Sequence, residues 1–149
     1  MNTRYIFALR SSGNAGKTTS IKLLPGLLRE KYPKCVVTRT YFGDAYRDIK
    51  LIIEIGQIKI GIESQGDPNS RLCKTLAEFV AQKCDIIICA TRTWGQTVDC
   101  VNSYLKLYDI EFIDKDKESN ESKWDELNSS YAMILLDRIS KVIDATHKR

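Results

Sequence analysis

Two short stretches of the chain are apolar at every position: Tyr5-Ile6-Phe7-Ala8-Leu9 and Ile86-Ile87-Ile88-Cys89. Continuous apolar runs of this length read as strands buried on both faces, the pattern of central parallel strands. Between them, Ile49, Leu51, Ile53 and Ile55 share one parity, and Ile58, Ile60 and Ile62 share another, with Gly56-Gln57 separating the two runs. This predicts a tight antiparallel hairpin over about 49–63, closed by a two-residue turn of type II′ because Gly comes first. Val36, Val37, Thr38, Thr40 and Tyr41 favour a further strand within 35–42, and 110–113 supplies the last.

The remaining apolar positions recur at helical spacing. Leu23, Leu24, Leu27 and Leu28 give the apolar face of a helix beginning near Gly16, which Pro25-Gly26 is expected to kink or break. Leu72, Leu76, Phe79 and Val80 mark a helix opening at Pro68-Asn69 and running to about Lys83. Val98, Val101, Leu105 and Tyr104 are predicted to face inward from a third helix. Residues 115–123 read as an exposed polar connection. A final helix over about 124–146 carries Leu127, Tyr131, Leu135, Ile139, Val142 and Ile143 on one stripe. Strands alternating with helices imply an α/β fold: three layers, a mainly parallel sheet with helices on both faces, and the antiparallel hairpin.

Composition narrows the class. The chain has 149 residues, with no repeat or linker, and is read as a single domain over 1–149. Its net charge of +4 suits anionic ligands but is short of the dense basic stripe of a nucleic-acid binder, so nucleic acid is not indicated. No apolar stretch approaches the roughly 18 residues that span a bilayer, and the N-terminal apolar run is too short for a signal-peptide core. The lone histidine, His147, argues against a His-based metal site or triad. Cys35, Cys73, Cys84, Cys89 and Cys100 include no C-x-x-C pair and are expected to be reduced core residues. A soluble cytoplasmic protein follows as the expectation.

Residues 11–18 read Ser-Ser-Gly-Asn-Ala-Gly-Lys-Thr, directly after the first strand and before the first helix. Ser11 apart, they fit the pattern G-x-x-x-x-G-K-[ST]. A loop of inward-pointing backbone N–H groups followed by a helix N-terminus binds phosphate oxygens, and glycines let the backbone come close. In this motif and its setting the chain resembles the P-loop NTPase superfamily. The resemblance implies a P-loop fold in which Ser12, Gly13, Asn14, Ala15, Gly16, Lys17, Thr18 and Thr19 hold the nucleotide. Lys17 would reach the β- and γ-phosphates and the Thr18 hydroxyl would bind Mg²⁺.

Such a loop needs an acid at the end of a neighbouring strand. Glu63 is preferred: it ends a strand, and Glu63-Ser64-Gln65-Gly66 is similar to the Asp-x-x-Gly stretch of GTPase-like members. Asp67 is the competing metal-linked acid. The guanine-reading Asn-Lys-x-Asp has no match at 90–93 or 112–115, so ATP is favoured over GTP. Arg92, beyond the Ile86–Cys89 strand, is a candidate for stabilising charge on the transferring phosphoryl group, and Trp94 for stacking on a base. Asp44, Tyr46 and Arg47 stand where small kinases hold an acceptor. The expected enzyme is an NTPase, with Glu63 or Gln65 positioning water, or a small phosphotransferase similar to nucleotide or metabolite kinases. A non-catalytic nucleotide-dependent binding module is the third alternative, and a protein partner is compatible with slow turnover.

Overall fold

The computed structural model describes residues 3–12, 16–42 and 48–147. The elements follow in the order β1 (Tyr5–Arg10), α1 (Lys17–Lys31), β2 (Val36–Phe42), β3 (Ile49–Ile55), β4 (Ile58–Glu63), α2 (Leu72–Ala81), β5 (Ile86–Thr91), α3 (Gln96–Asn102), β6 (Asp109–Asp114) and α4 (Trp124–His147). The strands form one six-stranded mixed sheet in the order β2-β3-β4-β5-β1-β6. β4, β5, β1 and β6 are mutually parallel, whereas β2, β3 and β4 form an antiparallel meander. The fold is therefore α/β, as the patterning implied.

Alternation along the buried strands feeds two cores. Phe7, Leu9, Ile86, Ile88, Ile60 and Ile62 meet Ile21, Leu24 and Leu28 of α1 and Leu135 and Ile139 of α4 on one face. Ile6, Ala8, Ile87 and Cys89 meet Leu72, Leu76 and Phe79 of α2 and Val101 of α3 on the other. Helices thus cover both faces. The hairpin has the expected two-residue turn: Ile55 pairs with Ile58, and Gly56 has φ 61° while Gln57 does not have a positive φ, the pattern of type II′.

Several expectations are corrected. α1 runs unbroken through Pro25. Three of its residues, Ile21, Leu24 and Leu28, are fully buried. At about 1.5–3 kcal/mol each, they outweigh the roughly 3 kcal/mol cost of an interior proline. α2 opens at Leu72 rather than Pro68, because Asn69 has φ 60°, which no right-handed helix accommodates. α3 is short and ends before Leu105, which is 66% exposed instead of facing inward. Lys115, placed by the sequence in an exposed connection, is 4% exposed. Cys73 and Cys100 form a disulfide, their Cα atoms 5.6 Å apart. α2 and α3 lie side by side on one face, a juxtaposition that a separation of 27 residues does not reveal. Cys84 and Cys89 are buried free cysteines, as expected, and burial pushes both thiols up to about 12. No helix among the described residues is long and apolar enough to cross a membrane.

Gly61 interrupts the apolar run of β4 for a packing reason. A Cβ there would lie 2.6 Å from Cδ2 of Phe79, whose ring is buried against the sheet. Gly61→Val should cost about 1–3 kcal/mol or more in urea unfolding. Combining it with Phe79→Leu should recover part of that loss. Strictly additive losses would mean that the ring does not occupy this space.

Candidate functional site

The C-terminal ends of β4, β5, β1 and β6 lie along one edge of the sheet, so the connections that follow them gather there. α1 leaves β1 toward one face, whereas α2 and α3 leave β4 and β5 toward the other. β1 and β5 are neighbours, so a crevice opens between their ends, at the position where open α/β sheets bind ligands.

Ser11, which follows β1, and Lys17, which opens α1, both meet at this crevice. Ser11 is buried, and its N–H donates to the Thr91 carbonyl at 3.2 Å. Its φ is not positive, so glycine is not required there. Gly16 is different. It has φ 81° and serves as N-cap of α1, and a Cβ would lie 2.5 Å from Asn128 Oδ1. Both conformation and space demand glycine. Gly13, Asn14 and Ala15 lie outside the described residues, as do Asp44, Tyr46 and Arg47. Ser12 and Thr19 are exposed beside the loop.

Lys17, in the first turn of α1, is only 6% exposed. Its Nζ donates to the carbonyls of Thr91 at 2.8 Å and Ser11 at 3.0 Å, which ties the ends of β5 and β1 together. Burial lowers its pKa to about 8, with nearby Asp67 raising it and Arg92 lowering it. The neighbouring Thr91 hydroxyl is fully buried and has no hydrogen-bond partner among the described residues. Thr18 Oγ1 lies 3.3 Å from the Ser64 carbonyl and 3.5 Å from Asp48 Oδ1. Asp48 is held in turn by the Ser64 hydroxyl at 2.9 Å.

Glu63 occupies a different place from the one expected. The strands neighbouring β1 are β5 and β6, so β4 and Glu63 are one strand further from the loop. Glu63 is fully buried and its carboxylate is engaged. Arg71 donates to it through Nε at 2.6 Å and Nη2 at 3.0 Å, and the Thr75 hydroxyl at 2.8 Å. The second acid, Asp67, accepts from Arg92 Nε at 3.0 Å, an exposed pair bridging the β4–α2 and β5–α3 connections. Asn69 N–H donating to Gln96 Oε1 at 2.7 Å reinforces that bridge. Trp94 stands 81% exposed on the β5–α3 connection.

A cleft of about 660 Å³ runs from α1 to the start of α2, lined among others by Lys17, Thr18, Asp48, Gln65, Asp67 and Arg71. The chain matches no known family model, no curated protein and no solved structure.

Two residues of this cleft escaped the sequence reading, and for one of them, Asp48, a signal existed. A two-residue turn at 56–57 fixes the hairpin register, and counting outward from it brings Asp48 beside Ser64-Gln65. Arg71 is the N-cap of α2, where a cation opposes the helix dipole. An arginine at such a position needs a partner elsewhere, and Glu63 is that partner.

Among the described residues no cluster of three or more His, Cys, Asp or Glu side chains is placed to hold a metal. Mg²⁺ is commonly held by one or two carboxylates together with substrate phosphates and water. The Thr18 hydroxyl and the Asp48 carboxylate, 3.5 Å apart on the cleft wall, fit that sparse requirement. Glu63, enclosed by Arg71 and Thr75, fits it less well.

Proposed function

We propose that the chain is a P-loop NTPase that binds a nucleoside triphosphate, ATP in the first place, with Mg²⁺. The observation that carries this reading is the meeting of Gly16, Lys17 and Thr18 with Asp48 and Gln65 around one polar cleft, with Lys17 bonded to the carbonyls of Ser11 and Thr91 after β1 and at the end of β5. Lys17 supplies a buried ammonium for the β- and γ-phosphates, and it exchanges its two carbonyl acceptors for phosphate oxygens. The α1 N-terminus adds the positive end of its dipole. Bound Mg²⁺ supplies charge neutralisation on the phosphate oxygens, with Thr18 and Asp48 as the residues that would hold it. Gln65 lines the cleft beside Asp48 and is suited to orient a water molecule. Arg71 fixes Glu63, which acts as a positioning residue for the β4–α2 connection. Arg92, paired with Asp67 at the rim, is the candidate for stabilising transferred charge.

A second reading, transfer to a small acceptor, is favoured by the reach of the cleft past Thr18 to the polar 67–71 segment. Titration of ATP and GTP with Mg²⁺, followed by product analysis, separates the two. Free phosphate marks hydrolysis, and product formed only with a metabolite mixture marks a kinase. Binding of neither nucleotide would remove the P-loop reading.

The metal assignment has its own test. Asp48→Asn should raise the Mg²⁺ concentration needed for half-maximal ATP binding by about 10–100-fold. Asp67→Asn removes a partner of an exposed ion pair and should change it by less than about threefold. The reverse ranking would transfer the metal-linked role to Asp67.

A further inference from the structure

The disulfide between Cys73 and Cys100 takes no part in the phosphate chemistry, yet it stands beside the cleft which that chemistry uses. Cys73 is the second residue of α2, two positions after Arg71, and Cys100 lies in α3. Residues 65–71, which lead into α2, all line the larger cleft. They belong to no helix or strand, and 67–69 are exposed. This wall is held by its attachment to the end of β5 and to the β5–α3 connection. Gly66 is pressed onto β5, where a Cβ would lie 2.6 Å from the Ala90 carbonyl carbon. Further out, Arg92 Nε donates to Asp67 at 3.0 Å and Asn69 N–H donates to Gln96 Oε1 at 2.7 Å, both exposed bonds. The disulfide adds a covalent tie between the two helices that follow these connections.

The surroundings of the bond suit reversible opening. Each helix has its own anchors in the core, α2 through Leu72, Leu76 and Phe79 and α3 through Val101. That packing, and not the bond alone, sets the Cα separation of 5.6 Å, so the sulfurs remain neighbours when the bond opens. Both cysteines are half-buried and within reach of a small thiol. Cys84 and Cys89 differ: they are buried, and burial pushes their thiols up to about 12, which keeps them inert. Cys35 packs on the core of the opposite sheet face.

We propose that Cys73 and Cys100 form a reversible thiol–disulfide site that exchanges with a low-molecular-weight disulfide of the glutathione class, and that the closed bond raises the affinity of the cleft for phosphate ligands by holding the 65–71 wall in place. The affinity part rests on the phosphate reading above. In the exchange, one cysteine thiolate attacks a sulfur of glutathione disulfide and expels one glutathione thiolate. The other cysteine thiolate then attacks the protein sulfur of the mixed disulfide and expels the second glutathione thiolate. Two protein thiols lose two electrons and two protons, and glutathione disulfide becomes two molecules of glutathione. A wall ordered before binding leaves less for the ligand to order, which favours binding.

The test equilibrates the full chain in glutathione buffers of graded oxidised-to-reduced ratio. Acid quenching, alkylation and mass analysis then read each cysteine. Cys73 and Cys100 should close together in one two-electron transition. Thiols that stay open in the most oxidising buffer, or that react independently of each other, would overturn the site. ATP and inorganic tripolyphosphate, each with Mg²⁺, are next titrated into the oxidised and reduced forms. The oxidised form should bind both about fivefold or more tightly, and by reciprocity ATP should favour disulfide formation by the same factor. Cys73→Ser combined with Cys100→Ser should bind as the reduced wild type does in every buffer, whereas Cys35→Ser should keep the full redox response. Affinities within about twofold of each other in the two forms, or a response that survives the double change, would overturn the coupling while the phosphate reading stands. Hydrogen exchange gives a readout without ligand: reduction should speed exchange across 65–71 and leave β1 and β5 unchanged. Equal protection of 65–71 in both forms would overturn the clamp. If neither compound binds either form, the phosphate reading falls and the affinity part falls with it, while the thiol transition and the exchange measurement still decide the clamp.

Discussion

Arg71→Ala should lower the stability of the protein by about 3–5 kcal/mol, the loss associated with stripping one partner from a buried ion pair. Glu63 is fully buried, and Arg71 covers both of its oxygens. Without the guanidinium, the carboxylate keeps, among the described residues, the Thr75 hydroxyl at 2.8 Å and the Gln65 N–H at 3.2 Å. Domains of this kind hold about 5–15 kcal/mol in total, so the variant approaches the limit of folding. The reciprocal change is milder. Glu63→Gln leaves behind an arginine whose side chain is 22% exposed and open to water. Arg71→Lys should recover only part of the loss, because an ammonium cannot bridge two carboxylate oxygens with the planar fork of arginine. Glu63→Gln combined with Arg71→Met should be less destabilised than the sum of the single changes. Urea unfolding of the set gives the coupling energy. A loss below about 1 kcal/mol for Arg71→Ala would be the scale of an exposed pair, and Glu63 would return as a candidate for the metal-linked acid.

The Glu63–Arg71 pair also marks where the sequence stops being informative. Element type was legible wherever periodicity was strong: the all-apolar runs of β1 and β5, the alternating hairpin and the stripe of α4 all appear where the pattern put them. Strand order was not. β5 is the more continuously apolar of the two, but nothing in either run shows that β5 lies between β4 and β1. Glu63 was therefore placed one strand too close to the loop. Local chemistry failed in a different way at Lys115, where a polar neighbourhood concealed a buried lysine whose ammonium lies close to Gly16 and over the Tyr131 ring. An aromatic face attracts an ammonium that tertiary contacts enclose, so polarity along the chain is a weak guide to exposure. The disulfide and the opening of α2 depend on tertiary placement and on one left-handed residue, Asn69, neither of which leaves a periodic trace. Asp48 was accessible through the hairpin register, which shows that turn length carries information about sites as well as about strands.

Lys17→Met should reduce triphosphate affinity by about 100-fold or more while leaving stability within about 1 kcal/mol of wild type. Charge-assisted hydrogen bonds contribute about 1.5–3 kcal/mol each, and an ammonium reaching two phosphates makes at least two. For stability, two opposing effects nearly cancel. Lys17 satisfies the Thr91 and Ser11 carbonyls, but it carries the desolvation cost that lowers its pKa to about 8. Methionine keeps the buried stem and removes that cost, and the Thr91 carbonyl still accepts from Ser11 N–H. An alanine here would not be structurally silent, because Lys17→Ala also empties the volume of the buried stem. The depressed pKa fixes two pH dependences. Folded Lys17 loses its proton near pH 8 and the unfolded residue near about 10.4. The unfolded chain binds more protons between those values, so this residue makes stability rise with pH across that window. Ligand affinity runs the opposite way. Phosphate oxygens favour the charged amine, so binding takes up protons and affinity should fall above pH 8 by up to about tenfold per pH unit. Calorimetry in two buffers of different ionisation enthalpy measures the proton uptake directly. Tight, pH-independent triphosphate binding by Lys17→Met would show that the nucleotide does not lie on this lysine, and the phosphate assignment would have to be abandoned.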